Sequence, residues 1–465
     1  MAKAELRTSA YDAIIIGTGQ AGPSLARRLA TARMRVAIVE RKLFGGTCVN
    51  TGCTPTKALI ASAHAAHLAR SAADYGVRIA GAVDVDMKAV KARKDAVVAP
   101  SHDGVERSLK TLEGCTVYEG HGRFVAERKV AVNASELAAD RIFINVGARA
   151  AIPPIPGLDR VPYLTNSSMM DIDFLPAHLI VLGGSYIGLE FAQMYRRFGS
   201  EVTVIELAPR LIAREDEDVS QAIADFLKEE DVDVRLGSKV VGVETQGNSI
   251  AVSIESAGKN SQIAGTHVLV AVGRRPNTGD LGLDKAGIAT DSRGYIQVDD
   301  WLRTNVAGVW AMGDCNGRGA FTHTSWNDFE IVAANLLDGG DRRVSDRITA
   351  YALYTDPPLG RVGMTEAEVR KTGKPALIAT LAMEHVSRAR ERGETKGFLK
   401  ILVDRDSQQI LGASFLGLAG DEVVHCVLDV MYAKAPYTVM QHAMHIHPTV
   451  SEFIPTMLGD LKPLQ

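Results

Sequence analysis

Cys48 and Cys53 stand five residues apart in the stretch Gly45-Gly46-Thr47-Cys48-Val49-Asn50-Thr51-Gly52-Cys53-Thr54-Pro55-Thr56-Lys57. In a chain with only five cysteines, two thiols this close suit redox exchange or metal binding better than a structural cross-link. On an ideal α-helix, residues five apart have Cα atoms roughly 8–9 Å apart. A disulfide tolerates at most about 7 Å. A bond between Cys48 and Cys53 therefore requires a distorted backbone, which Gly52 and Pro55 permit. A strained, accessible disulfide is the reducible kind. The spacing is not the C-x2-C of a zinc ribbon, and no second cysteine pair exists to complete a tetrahedral site, so no metal is expected. Lys57, four residues after Cys53, is helically placed to bring a positive charge to the sulfurs, and thiolates rather than thiols are the nucleophiles. Cys115, Cys315 and Cys426 have no cysteine neighbour and read as core or incidental.

The elements that must position this pair begin just upstream. Tyr11 to Ile16 is an apolar run fit for a buried parallel strand. Gly17-Thr18-Gly19-Gln20-Ala21-Gly22 follows, then a helical stretch with Pro23 in its first turn, then Val36 to Glu40. Strand, G-x-G-x-x-G, helix, strand and acid make a dinucleotide-binding unit. Its glycines let backbone approach a pyrophosphate at the helix N-terminus, and its acid faces a ribose hydroxyl. The layout returns 166 residues later as His178 to Leu182, Gly183-Gly184-Ser185-Tyr186-Ile187-Gly188, and Val202 to Glu206. Gly17, Gly22 and Glu40 map onto Gly183, Gly188 and Glu206, with Ser185 where the middle glycine would stand. One such turn is weak; two in one register are strong, and they suggest two cofactors passing something between them.

Bulk properties set the frame. A length of 465 residues suggests about three domains, and 46% apolar composition is ordinary for a globular core. A net charge of −3 gives no electrostatic case for nucleic acid or anionic membrane. No apolar run reaches the about 18 residues of a membrane span. The N-terminus MAKAELRTSAYDAIIIG shows no export leader, so a cytoplasmic protein is expected.

In this order, the motifs resemble those of the flavin-dependent pyridine nucleotide–disulfide oxidoreductases, the family of lipoamide dehydrogenase, glutathione reductase and mercuric reductase. Ile142 to Gly147 resembles the strand by which the family's chain leaves its flavin domain, and Val268 to Asn277, with Gly273, resembles the return. Gly308 to Asp314 matches the second flavin motif, whose aspartate bonds the ribityl–phosphate region. Phe321-Thr322-His323-Thr324 opens a helix whose positive end would face the flavin. Tyr354 to Glu366 resembles the opening of the dimerisation domain, with a hairpin of Phe398 to Val403 and Ile410 to Leu416 after it.

The resemblance implies an α/β fold of two Rossmann-like dinucleotide-binding domains plus a C-terminal α+β dimerisation domain. Residues 1–150 and 273–343 would bind FAD, residues 151–272 NAD(P), and residues 344–465 would form the dimer interface. Gly17, Gly19, Gly22, Glu40, Gly46 and Thr47 would hold FAD, with Gly147, Asp314, Thr322 and His323. Gly183, Ser185, Gly188, Glu206 and Gly273 would hold the nucleotide, and Tyr186 would cover the flavin until nicotinamide displaces it. NAD is expected over NADP, because Glu206 would repel a 2′-phosphate.

Carried over residue by residue, the family's chemistry makes Cys53 the charge-transfer thiolate and Cys48 the interchange thiol of a redox disulfide. Lys57 would pair with Glu190 beside the flavin. His447, followed by Pro448, would be the acid–base group oriented by Glu452, reaching the disulfide of the other subunit in a homodimer. His64 and His67 read as surface residues.

The Cys48–Cys53 stretch and Phe321 to Ile331 resemble the mercuric-reductase-like branch most closely. Such enzymes carry paired cysteines near a C-terminus that here reads Gly459 to Gln465, and an N-terminal metal-binding module not found here. They also do not usually keep the His-Pro pair. A disulfide or dithiol substrate of lipoamide or glutathione type, small or protein-borne, is therefore expected. The alternatives are reduction of Hg(II) or another soft oxidant, and a flavin-bearing interaction subunit with incidental NAD(P)H oxidase activity.

Overall fold

The protein is described here as a computed structural model covering residues 7–464; the part of the N-terminal leader reading that falls on residues 1–6 lies outside them. The first apolar run becomes the strand Arg7–Ile16, which pairs in parallel with Val36–Glu40 on one side and Ser135–Ile144 on the other. Cys115–Glu119 extends the sheet beyond Val36–Glu40, and an antiparallel meander of Arg123–Ala126 and Lys129–Val132 flanks Ser135–Ile144. Much later the chain returns, and Val309–Ala311 adds in parallel to the end of Ser135–Ile144. The first strand is apolar on both sides because both faces are covered. Ala13 and Ile15 pack with Leu25 and Leu29 of the helix Ala21–Thr31, while Ile14 and Ile16 meet Phe124, Val130 and Val309.

A second parallel sheet, ordered Asp233–Arg235, Glu201–Ile205, His178–Leu182, His267–Val270 and Tyr163–Leu164, repeats the arrangement. Its helix Tyr186–Phe198 is the counterpart of Ala21–Thr31. A three-stranded antiparallel sheet spans residues 238–265. The residues just beyond the expected exit pair with the return, Ala148–Ala150 running antiparallel to Arg274–Pro276.

From Ala350 onward a six-stranded antiparallel sheet forms, with the expected hairpin of Phe398–Asp404 and Ile410–Leu416 at its centre. The fold class is thus α/β with a C-terminal α+β unit. Among the described residues no helix is long and apolar enough to cross a membrane.

The two histidines read as surface residues are not free. His64 is half-buried and its Nδ1 lies 2.9 Å from Asp356, which Arg197 also holds. Asp356 follows the helix Cys53–Arg70 by almost three hundred residues in sequence, so local periodicity carried no sign of this tie. His67 is also half-buried, and burial lowers its pKa.

Candidate active site

The helix that carries the cysteines is broken where the spacing required. Gly46–Asn50 forms one short helix and Cys53–Arg70 a long one, with Thr51 and Gly52 between. A Cβ on Gly52 would come 2.9 Å from the Thr47 carbonyl oxygen, so glycine is needed at the break. Side-chain amides hold the broken backbone: Asn50 donates to the Phe44 and Gly46 carbonyls, and Asn166 donates to the Thr51 carbonyl. The kink brings the two sulfurs into hydrogen-bond contact, and both are free thiols in this structure.

The two thiols are electrostatically unlike. The Cys48 hydrogen bond lowers the Cys53 pKa to about 6, helped by the Thr322 hydroxyl and the Lys57 charge against the cost of burial. Cys48 is pushed well above the ordinary thiol range, first by that shared hydrogen bond and then by burial. Both shifts run in the direction that favours negative charge on Cys53 over Cys48. Thr322 Oγ1 stands 3.1 Å from Cys53 Sγ at the start of the helix Thr322–Leu337, whose N-terminus adds positive potential.

Thr322 was expected against a cofactor; its hydroxyl bonds sulfur. Thr322→Val keeps the shape and removes the donor, so the Cys53 pKa is expected to rise by about one unit. Ultraviolet thiolate absorbance of the reduced protein, titrated against pH, reads this directly, and an unmoved midpoint would take Thr322 out of the sulfur site.

Lys57 Nζ makes a two-pronged ion pair with Glu190, at 2.9 and 3.0 Å, across the junction between the cysteine helix and Tyr186–Phe198. Sequence reasoning missed the third member of this group. Tyr354 places its ring 4.1 Å from Lys57 Nζ, and its backbone N–H donates to Glu190 at 3.1 Å. Nothing local in the sequence could have found it, since Tyr354 stands in the turn between the first two strands of the C-terminal sheet, Ala350–Leu353 and Leu359–Gly363.

The two glycine turns are built alike down to individual bonds. Glu40 accepts from the Thr18 and Lys42 backbone N–H groups, at 3.0 and 2.8 Å; Glu206 accepts from Gly184 and Ala208, at 2.6 and 2.7 Å. These partners are again 166 residues apart. A Cβ on Gly17 or Gly183 would collide with the carbonyl of Asn145 or Ala271 respectively, and one on Gly22 or Gly188 with its own turn.

The departure at Ser185 has a physical reason. Gly19 is crowded by the Asn145 side chain, 3.0 Å from where a Cβ would sit, but Ala271 holds the matching place in the second turn. Ser185 is exposed on extended backbone, where any residue fits. Asn145 was also missed. Its buried amide accepts from Gly22 N–H and donates to the Met312 carbonyl, tying the first turn to the returning strand.

The remaining expected cofactor residues lie on several elements. Gly147 and Gly273 have positive φ, and a Cβ on either would meet nothing within 4 Å, so the backbone there borders open space. Gly46 approaches Gly19, and Thr47 is exposed beside it. Asp314 follows a turn that Asp328 pins by accepting from Gly313 N–H at 2.7 Å. Burial raises the Asp314 pKa while Arg274, 3.3 Å away, opposes the rise. His323 Nε2 donates to the Ala350 carbonyl at 2.7 Å and burial lowers its pKa. Two glycine turns, an anchored aspartate and open space along both positive-φ glycines fit an extended dinucleotide at each turn.

His447 lies apart from the sulfurs. It is 73% exposed, and its Nδ1 meets Glu452 at 2.9 Å, while Glu452 also accepts from Thr449 N–H at 3.2 Å. Among the described residues no cluster of His, Cys, Asp and Glu is arranged to hold a metal ion.

Residues 11–328 match the model of the pyridine nucleotide-disulphide oxidoreductases, and residues 349–458 match that family's dimerisation domain. The chain is 37% identical over 460 residues to the probable pyridine nucleotide-disulfide oxidoreductase RclA of Escherichia coli strain K12, covering 97% of this chain and 99% of that one. It is 32% identical to a mercuric reductase of Bacillus cereus, over 94% of this chain and 70% of the relative. It is 30% identical to the dihydrolipoyl dehydrogenase of Chlamydia muridarum, over 95% of each. The solved structure of the HOCl-induced flavoprotein disulfide reductase RclA from Escherichia coli superposes with a TM-score of 0.89 at 36% identity, covering 97% of this chain and all of that one. A Cu(II) complex of the same protein has also been solved. The chain thus belongs to the pyridine nucleotide-disulfide oxidoreductases, FAD-dependent enzymes that move electrons between NAD(P)H and a disulfide.

Proposed function

We propose that this enzyme works as a homodimer, drawing electrons from NADH to the Cys48–Cys53 pair and delivering them to a disulfide of lipoamide or glutathione type. Residues 1–150 and 273–343 hold FAD, residues 151–272 the nucleotide, and residues 344–465 pair with a second copy. Bound FAD supplies the two-electron acceptor between nicotinamide and sulfur. Gly17, Gly19, Gly22 and Glu40 hold one end of it, Asp314 its middle, and Gly46, Thr47, Gly147 and His323 line its cleft. Gly183, Ser185, Gly188 and Gly273 serve the nucleotide. Tyr186 would be the residue over the flavin that nicotinamide displaces, and Lys57, paired with Glu190, would lie beside it. NADH is favoured because Glu206 keeps a carboxylate at the ribose, and Arg210 donates to its own loop at Ala213 rather than standing free.

The observation that carries this reading is the broken helix that sets Cys48 and Cys53 side by side, with Thr322 Oγ1 3.1 Å from Cys53 Sγ. Once Cys48 is deprotonated it attacks the substrate disulfide, forming a mixed disulfide and expelling one substrate thiolate. Cys53 then attacks Cys48, which restores the Cys48–Cys53 bond and expels the second. His447 of the partner subunit, oriented there by Glu452, gives each leaving sulfur its proton.

A second reading, reduction of a soft metal ion, draws support from the mercuric reductase relatives and from the Cu(II) complex of RclA. The test is a panel on the FAD-loaded enzyme. Lipoamide, oxidised glutathione, Hg(II) with excess thiol, Cu(II) and oxygen are each offered with NADH and with NADPH. A disulfide that speeds NADH consumption well above the oxygen rate is the expected result. Stimulation by metal ions alone selects the second reading, and no acceptor beating oxygen leaves only an interaction subunit.

A further inference from the structure

Two distant parts of the chain converge on the Tyr186 ring. Edge-on to it stand Phe321, from the turn before the Thr322–Leu337 helix, with centroids 6.0 Å apart, and Tyr351, from the strand Ala350–Leu353, at 5.6 Å. Phe321 and Tyr351 stack on each other at 5.6 Å. Tyr351 is itself fixed, because its hydroxyl donates to Glu215 Oε1 at 2.6 Å.

Glu215 is 1% exposed and faces Arg361, also 1% exposed, across 3.7 Å. Its backbone N–H donates to the Ile212 carbonyl, and Ile212 N–H donates to the Gly184 carbonyl inside the second glycine turn. A continuous path of contacts therefore runs from the nucleotide-binding turn, through Glu215 and Tyr351, to the ring of Tyr186.

The cluster is also incompletely satisfied. Tyr186 Oη, Glu215 Oε2 and Arg361 Nε are all buried without a hydrogen-bond partner. Glu215 Oε2 and Arg361 Nε face each other as an ion pair too long for a hydrogen bond, while a buried hydroxyl without a bond is costly, so no hydrogen bond of its own locks the Tyr186 ring.

We propose that Tyr351 and Glu215 are positioning residues that latch the Tyr186 ring in place and thereby set how readily a nicotinamide ring displaces it. The latch rests on the reading of Tyr186 as the residue covering the flavin. Its Tyr351–Glu215 hydrogen bond lies beside the Arg361 ion pairs to Glu215 and Asp216 that also join the nucleotide loop to the C-terminal unit, so the affinity for nucleotide depends on a strand that does not itself bind it.

The experiment titrates NAD+ into oxidised, FAD-loaded protein with no electron acceptor present, and records flavin fluorescence. Tyr351→Phe keeps the ring and removes the bond to Glu215; Glu215→Ala removes the acceptor. Each is expected to tighten NAD+ binding about three- to tenfold, the scale of one lost hydrogen bond. Each is also expected to raise flavin fluorescence, because the ring spends less time against the flavin, and the double variant should go no further than either alone. If Glu215→Ala does not fold, Tyr351→Leu takes its place and should brighten the flavin more than Tyr351→Phe does. Fluorescence and NAD+ affinity unchanged in Tyr351→Phe, or weakened binding there, overturn the latch. A wild-type protein that takes up no FAD fails the proposed function instead, before any variant is compared.

Discussion

Cys48→Ser holoenzyme is expected to lose disulfide reduction by at least about a thousandfold while NADH still bleaches its flavin. The asymmetry of the sulfur pair is the reason. The substitution removes the Cys48 thiol, the largest cause of the low Cys53 pKa, but a serine hydroxyl is also a donor and Thr322 and Lys57 still favour charge on Cys53. Only the attack on substrate is removed. Cys53→Ser should differ in kind, since the long-wavelength absorbance that a thiolate lends to a neighbouring flavin goes with it. Stopped-flow spectra of the two variants, followed with NADH and then with a disulfide, separate these outcomes. Disulfide turnover retained in Cys48→Ser would refute sulfur exchange at this pair.

What was legible in the sequence was whatever repeats or closes locally. The two strand–turn–helix–strand–acid units could be read because each is written in about 30 consecutive residues. Their shared register even extends to the backbone donors that Glu40 and Glu206 accept from. The need for a broken helix between Cys48 and Cys53 followed from helix geometry alone, and Gly52 marks the break.

The pairing of Lys57 with Glu190, 133 residues on, came only through resemblance. Contacts that neither repeat nor belong to a known motif were invisible. Asn145 looked like a strand residue, yet its amide locks two distant turns. Tyr354 looked like a domain boundary, yet its ring caps the lysine. That the Thr322 hydroxyl meets the Cys53 sulfur was not legible, because a helix N-terminus has no address in sequence for what stands opposite it. The buried group of Glu215, Arg361 and Tyr351 joins parts of the chain whose separate composition gives no hint of a meeting.

His447→Gln is expected to lower turnover with a disulfide by about 10²–10⁴-fold, the scale of a lost acid–base group, with the rate of NADH-driven flavin bleaching unchanged. The reasoning turns on where the histidine lies. Within one chain it is 73% exposed with only its acid behind it, and its neighbours Met444 and Ile446 are 99% and 80% exposed. Apolar side chains this bare, in a region matching a dimerisation domain, belong against a second copy. If His447 then serves the other subunit's sulfurs, two dead variants can rescue each other. A mixed dimer of Cys48→Ser with His447→Gln contains one site with both defects and one with neither. Random pairing makes about half the dimers mixed, so co-expression should recover about a quarter of wild-type activity. Sites built within single chains would recover none. Retention of disulfide turnover in His447→Gln alone, with metal-ion reduction also intact, would move the proton elsewhere and favour the metal-reducing reading.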